Sequence, residues 1–132
     1  MKEIILNSAQ KKAVTHTVGP MMVVAGAGTG KTAIITLRIA NLIQNHSIKG
    51  ESILALTFTD KASDEMEDRV YQLLPYGYTD VSIHTFHALG DMILREYGNE
   101  IGISSDFIVM TKFQQVIMMQ NIVNSSELIY HR

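Results

Sequence analysis

The sequence predicts an α/β chain with a parallel sheet, followed by a short, mainly helical C-terminal segment. Three observations carry this. Apolar runs of strand length alternate with stretches of helical length along most of the chain. A glycine-rich turn, Gly26-Ala27-Gly28-Thr29-Gly30, joins one such run to one such stretch. Both prolines, Pro20 and Pro75, fall at boundaries between elements.

Asn7 or Ser8 is placed to cap a first helix reaching about Val18, where Gly19-Pro20 stops it. Met21-Met-Val-Val-Ala-Gly26 is an apolar run expected to form a buried strand feeding the glycine turn. From Lys31 to Asn45 a helix is predicted; between Ala33 and Ile43 only Thr36, Arg38 and Asn41 are polar, which predicts burial nearly all round. Ser52–Phe58 reads as a second strand. Lys61–Leu74 is an amphipathic helix with Met66, Val70, Leu73 and Leu74 on one side, ended by Pro75. Val81–Phe86 is a third strand and Ala88–Tyr97 a further helix. Beyond Gly98, Phe107–Met110 is a strand candidate, and Thr111-x-x-Gln114 is a capping box opening a helix to about Val123.

The chain has 132 residues, 46% of them hydrophobic, enough for one domain with a real core. Lys and Arg number 11 against 13 Asp and Glu, a net charge of −2, so any contact with nucleic acid must rest on local residues rather than an overall basic field. There is no cysteine, which excludes disulfides and thiolate metal sites and argues against the secreted, stapled class. The apolar run Ile4–Leu6 is too short for a signal-peptide core, and nothing approaches the ~20 residues of a bilayer span, so no membrane partner is expected and the cytoplasm is the expected compartment.

Ala25-Gly26-Ala27-Gly28-Thr29-Gly30-Lys31-Thr32 approximates the phosphate-binding pattern G-x-x-x-x-G-K-[ST], with Ala25 in place of the first glycine. A nucleotide's phosphates require many donors at close range. Glycines let the backbone wrap around them, and the following helix contributes its positive N-terminus. Lys31 supplies a point charge for the β- and γ-phosphates, and the Thr32 hydroxyl is placed to ligate Mg²⁺. A strand-to-helix turn with an incidental lysine is the alternative; the apolar run before it and helix after it favour a nucleotide site for ATP with Mg²⁺.

Three further segments resemble, in order and spacing, motifs of the UvrD/Rep/PcrA-like superfamily 1 DNA helicases. Leu6-Asn-Ser-Ala-Gln10-Lys-Lys-Ala-Val14 is similar to their Q motif. Thr57-Phe58-Thr59-Asp60-Lys61-Ala62, followed by an acidic helix with Met66 and Arg69-Val70, resembles motif Ia. Thr85-Phe86-His87, before Leu89 and Ile93-Leu94-Arg95, resembles the next DNA-contacting motif. The resemblance covers about residues 4–97, more loosely to the end. It implies a partial RecA-like P-loop NTPase domain in residues 1–97, the N-terminal part of helicase domain 1A. Residues 98–132 would then be the truncated start of a helical 1B-like subdomain.

The resemblance also implies roles. Gln10 would select adenine through its carbonyl acceptor and amide donor; on its own, without the neighbouring motifs, it reads rather as a solvent-facing helix residue. Phe58 would stack on bases of single-stranded DNA, although a phenylalanine ending an apolar strand is by itself more often a core residue. Thr59, Asp60 and Lys61 would lie along the DNA, with Lys61 on a phosphate; taken alone, Lys61 is a solvated charge. Thr85 and His87 would bond backbone phosphates, while His84 reads as structural. The partners implied are single-stranded DNA and the remaining helicase domains of a parent chain, with self-association through apolar surface left open by their loss.

The sequence also departs from the family. Asp60 stands where asparagine is usual, and a carboxylate cannot donate to a phosphate. Ala33 replaces a frequent arginine. Hydrolysis needs a carboxylate on Mg²⁺ and another on the attacking water, an Asp-Glu pair that the family places after an apolar strand. The only Asp-Glu here, Asp64-Glu65, sits on a polar helix face. The expected function is the ATP-binding part of an ATP-dependent DNA helicase that translocates on single strands and unwinds duplexes. This portion would bind nucleotide and hydrolyse little. The alternatives are a non-catalytic nucleotide- and single-strand-binding module, or a small P-loop kinase; Arg95 and Arg132 are the only arginines past Arg69 to serve a kinase lid.

Overall fold

Helix α1 (Ser8–Thr15) opens with a reciprocal cap: the Gln10 N–H donates to Asn7 Oδ1 (2.8 Å) and the Asn7 N–H to Gln10 Oε1 (3.0 Å). The structure, a computed structural model, describes residues 5–74 and 80–125. The chain falls into two compact units, residues 1–90 and 91–132.

In the first unit α1 is followed by α2 (Lys31–His46), β1 (Leu54–Thr57), α3 (Asp60–Leu73), β2 (Ser82–Thr85) and the first turn of α4 (Phe86–Tyr97). β1 and β2 pair in parallel with Leu54 opposite Ser82 and Thr57 opposite Thr85, the β-α-β arrangement expected from alternating elements. The core forms where α2 and α3 meet the strands: Ile39 and Ile43 of α2, Met66 and Val70 of α3, Ala55 of β1 and Ile83 of β2. Met66 and Val70, i and i+4 on α3, are 3% and 4% exposed, which confirms the amphipathic face read from the sequence.

A second apolar cluster joins Ala13 and Val14 of α1 to Ile34 of α2, with Leu6 and Leu37 at its margin. Arg38 secures the join. Its Nη1 donates to the carbonyls of Ala13 (2.9 Å) and His16, taking up acceptors that the end of α1 leaves open. Gln44 Nε2 likewise donates to Leu73 O (2.8 Å) at the end of α3. Among the described residues no buried side-chain polar atom lacks a partner.

The second unit holds the rest of α4, a 3₁₀ turn (Gly98–Ile101) and α5 (Lys112–Ser125). Arg95 organises the intervening loop. It binds both Asp91 carboxylate oxygens (2.8 and 3.1 Å), donates to Ser105 O (3.0 Å) and lies 4.8 Å from the Phe107 ring centroid. The hydrogen bond to Asp91, then its charge, raises the Arg95 pKa further. Gly98 is closely approached: a Cβ there would stand 3.1 Å from Ile103 O, a tight contact that the loop would have to ease by a few tenths of an ångström. Thr111 and Gln114 form the expected capping box of α5.

Several expectations are corrected. Met21–Ala25 forms no strand. Its exposures alternate, 39, 87, 47 and 87% from Met21 to Val24, the pattern of a strand with one face half-covered. The reason is the ladder: β1 and β2 are paired with each other, and among the described residues no strand pairs with this run. Phe107–Met110 is likewise unpaired, with Ile108 82% exposed. α1 ends at Thr15 rather than Val18. The expected cover of α2 nearly all round holds: from Thr32 to Ile43 only Ile35 is exposed, with Ile34 packed against α1 and Ile39 and Ile43 in the core with the strands. Pro75, expected to end α3, lies outside the described residues.

Candidate functional site

The loop Ala25–Gly30 leads directly into the N-terminus of α2 at Lys31. Gly28 and Gly30 take positive φ, +74° and +86°, a backbone region that side chains disfavour. Ala25 and Ala27 do not, since Ser47 is the only non-glycine residue with positive φ among those described. Alanine at the first position of the pattern therefore costs the loop no strain. The Thr29 hydroxyl donates to Gly26 O (2.8 Å), closing the turn. Lys31 folds back over it, with Nζ 2.6 Å from Gly26 O and 3.2 Å from Ala25 O. An ammonium has three donors, so one remains to face an incoming anion. Thr32 lies in the first turn of α2.

Gln10 reaches this loop from α1. Its Nε2 donates to Thr29 O (3.3 Å) while its Oε1 holds the cap of its own helix. The side chain that the resemblance assigns to adenine is thus a tie between helix and loop. A primary amide has two protons and two lone pairs, so each end retains one further bonding position for a base edge.

The second group of residues gathers at the C-terminal end of the sheet, the end where open α/β sheets bind ligands. β1 runs into Phe58, Thr59, Asp60 and Lys61, all exposed; β2 runs into Phe86 and His87, also exposed. Thr59 Oγ1 accepts from the Ala62 N–H (3.2 Å) and Thr85 Oγ1 from the Ala88 N–H (3.2 Å), so both threonines cap the helices that follow. A capping hydroxyl keeps its own proton to donate. Thr57 is buried, its hydroxyl donating to Thr59 O (3.1 Å) and lying 2.8 Å from Ser63 Oγ. Among the described residues no hydrogen bond or ion pair joins this group to the loop Ala25–Gly30.

One residue absent from the sequence assignment stands out here. The Phe86 ring lies 5.6 Å from that of Phe58, tilted by 50°. The signal was available: Thr-Phe ends both strands, and a parallel sheet in that register sets the two phenylalanines side by side. Asp64 and Glu65 are exposed on α3, and Glu65 pairs with Arg69 at 3.7 Å, as expected of a solvated helix face. Two open concavities, about 640 and 450 Å³, flank α5 and are lined by residues such as Val116, Met119, Ile117 and Met118. They are exposed flanks of α5, remote in sequence from every candidate site residue. No described helix is long and apolar enough to cross a membrane.

Residues 6–131 match the model of the UvrD/REP helicase N-terminal domain. The chain is 45% identical over 121 residues to DNA helicase II of Rickettsia typhi, an alignment covering 89% of this chain and 18% of that protein. It is 40% identical over 124 residues to the ATP-dependent DNA helicase PcrA of Leuconostoc citreum (93% of this chain, 17% of the relative). Against PcrA of Bacillus subtilis it is 40% identical over 123 residues, with coverage of 93% and 17%. The chain thus spans less than a fifth of the length of these relatives. With the loop Ala25–Gly30, its tie to Gln10 and the paired strand ends all inside the matched span, the chain belongs to the UvrD/REP helicase N-terminal domain family.

Proposed function

We propose that this chain is the ATP-binding part of an ATP-dependent DNA helicase, a partial RecA-like domain that holds nucleotide at Ala25–Thr32 and single-stranded DNA across the ends of β1 and β2. The observation that carries the reading is the Lys31 ammonium held over a loop whose two left-handed glycines open the N-terminus of α2. That is a cradle for anionic oxygen: a positive helix end, a cation poised over the loop and backbone free of side chains where it must curve.

ATP fits this donor set. Lys31 would exchange its carbonyl contacts for the β- and γ-phosphates, and Gln10 would offer its spare amide positions to adenine. Mg²⁺ would be held by the nucleotide's own phosphates with Thr32 as the protein ligand, neutralising charge that develops in phosphoryl transfer. At the sheet end, Phe58 would stack on a base, Thr59 and Thr85 would donate hydroxyl protons to phosphates, and Lys61 and His87 would supply charge. Asp60 would turn toward solvent, since its carboxylate repels phosphate.

Hydrolysis, translocation and unwinding are functions of the whole protein, with residues 1–97 contributing to domain 1A and 98–132 to a 1B-like subdomain. The half-covered run Met21–Val24 and the exposed apolar side chains of α5 support docking of further helicase domains, or self-association in their absence. The kinase alternative has less support, because Arg95 is bound within its own loop.

The experiment is direct binding. The chain titrated with Mg·ATP and with a thymidine oligonucleotide should bind both and turn over little ATP. Phe58→Ala and His87→Ala should each weaken oligonucleotide binding, the first by roughly five- to a hundredfold for a lost stacking partner. Undiminished binding by both variants removes the DNA half of the proposal, and rapid turnover by these 132 residues contradicts the division of labour.

A further inference from the structure

We propose that Phe86 is a positioning residue for single-strand binding, bracing the Phe58 ring so that one face of Phe58 is presented to a nucleobase. The inference rests on the DNA reading above and adds a residue to it.

The register makes the pair. Thr57 lies opposite Thr85 in a parallel ladder, so the next residues, Phe58 and Phe86, leave the sheet together at the same end. Their surroundings differ. Phe86 is the first residue of α4, directly after the threonine that caps that helix, and its backbone is fixed by the cap. Phe58 lies in the bend between β1 and α3, outside both elements. Phe58 is 89% exposed and Phe86 55%, so water, not a core, surrounds most of the pair. An isolated phenylalanine in a bend would rotate about χ1; a tilted neighbour at 5.6 Å favours one orientation over the others.

The same geometry says where a base goes. Sandwiching a base between two rings needs parallel planes about 7 Å apart, twice the 3.4 Å stacking rise. Rings tilted by 50° with centroids 5.6 Å apart leave no such slot. The base therefore stacks on the outward face of Phe58, and Phe86 acts from the other side, through the ring rather than on the DNA.

The test uses the 132-residue chain and a thymidine oligonucleotide carrying one 2-aminopurine, whose fluorescence is quenched on stacking. The variants are Phe86→Leu (apolar volume without a ring), Phe86→Tyr (ring retained), Phe58→Leu and the double variant, each checked for folding by its thermal midpoint. Phe86→Leu should weaken binding and quenching roughly two- to tenfold, the scale of one aromatic pair, and Phe86→Tyr should restore both. In the Phe58→Leu background the further change Phe86→Leu should have no effect, because its only route is through the missing ring; a general loss of structure would still be felt there. Wild-type quenching that is lost in Phe58→Leu but intact in Phe86→Leu overturns the role of Phe86 and leaves the DNA reading standing. An equal loss from Phe86→Leu in both backgrounds overturns it too, since Phe86 would then act independently of Phe58. No quenching by the wild-type chain defeats the DNA reading itself, and the inference with it.

Discussion

Lys31 Nζ lies 2.6 Å from the carbonyl oxygen of Gly26, so the cation at the start of α2 is bound to the loop before it. A phosphate bound there, as proposed, would have to compete with two carbonyl contacts, and could do so because it carries full negative charge. Lys31→Ala should therefore weaken Mg·ATP binding roughly ten- to a hundredfold, the value of one charge-assisted set of bonds. Isothermal titration measures this directly; unchanged affinity in a folded variant would remove Lys31 from the site.

Gly30 tests the backbone half of the cradle. A Cβ added there meets no atom within 4 Å, yet φ is +86°. Gly30→Ala should cost about 1–2 kcal/mol from conformation alone and lower the thermal midpoint by a few degrees. Ala27, whose φ is not positive, provides the contrast: Ala27→Gly should not stabilise the chain. Equal midpoints for wild type and Gly30→Ala would mean that the loop relaxes freely.

Gln10 has two separable jobs, and one substitution divides them. Gln10→Glu keeps an acceptor for the Asn7 N–H, as glutamate does in other capping boxes, but loses the amide protons used on Thr29 O. Urea unfolding should show stability close to wild type, whereas Asn7→Ala, which deletes the cap, should cost about 0.5–2 kcal/mol. Competition between ATP and GTP should show weaker preference for ATP in Gln10→Glu. Retained preference would assign Gln10 to the helix cap alone.

Met66 is the most buried apolar residue of the core formed by α2, α3 and the two strands, at 3% exposure. Met66→Ala should destabilise the first unit by about 2–5 kcal/mol, readable as a shift in the urea midpoint. A change below about 0.5 kcal/mol, the scale of an ordinary surface substitution, would mean that the core is not packed around this residue.

The residues that could be read from sequence are those whose structure is decided locally. The Asn7–Gln10 and Thr111–Gln114 caps, the face of α3 carrying Met66 and Val70, and the strands around Ala55 and Ile83 each depend on neighbours a few positions away or on simple periodicity. Met21–Val24 has the composition of a strand, but a strand exists only beside another, and no local rule supplies that neighbour. The same holds for Phe107–Met110. At the site, the loop pattern marked Lys31 and Thr32, but not the bond between Gln10 and Thr29, which spans nineteen positions. Phe86 was missed for a different reason: its meaning comes from register, which appears only once two strands are laid side by side.

That register bears on heredity as well. β1 and β2 reach the same edge in step, β1 followed two residues on by the helix-capping Thr59 and β2 ending on the helix-capping Thr85. A codon lost from either strand would turn its remaining side chains to the opposite face and carry one phenylalanine away from the other. Substitutions can be tried one at a time at these junctions, but changes of length cannot. In a lineage of such genes, insertions and deletions should collect elsewhere, and the two strand ends should keep their spacing while the letters between them drift.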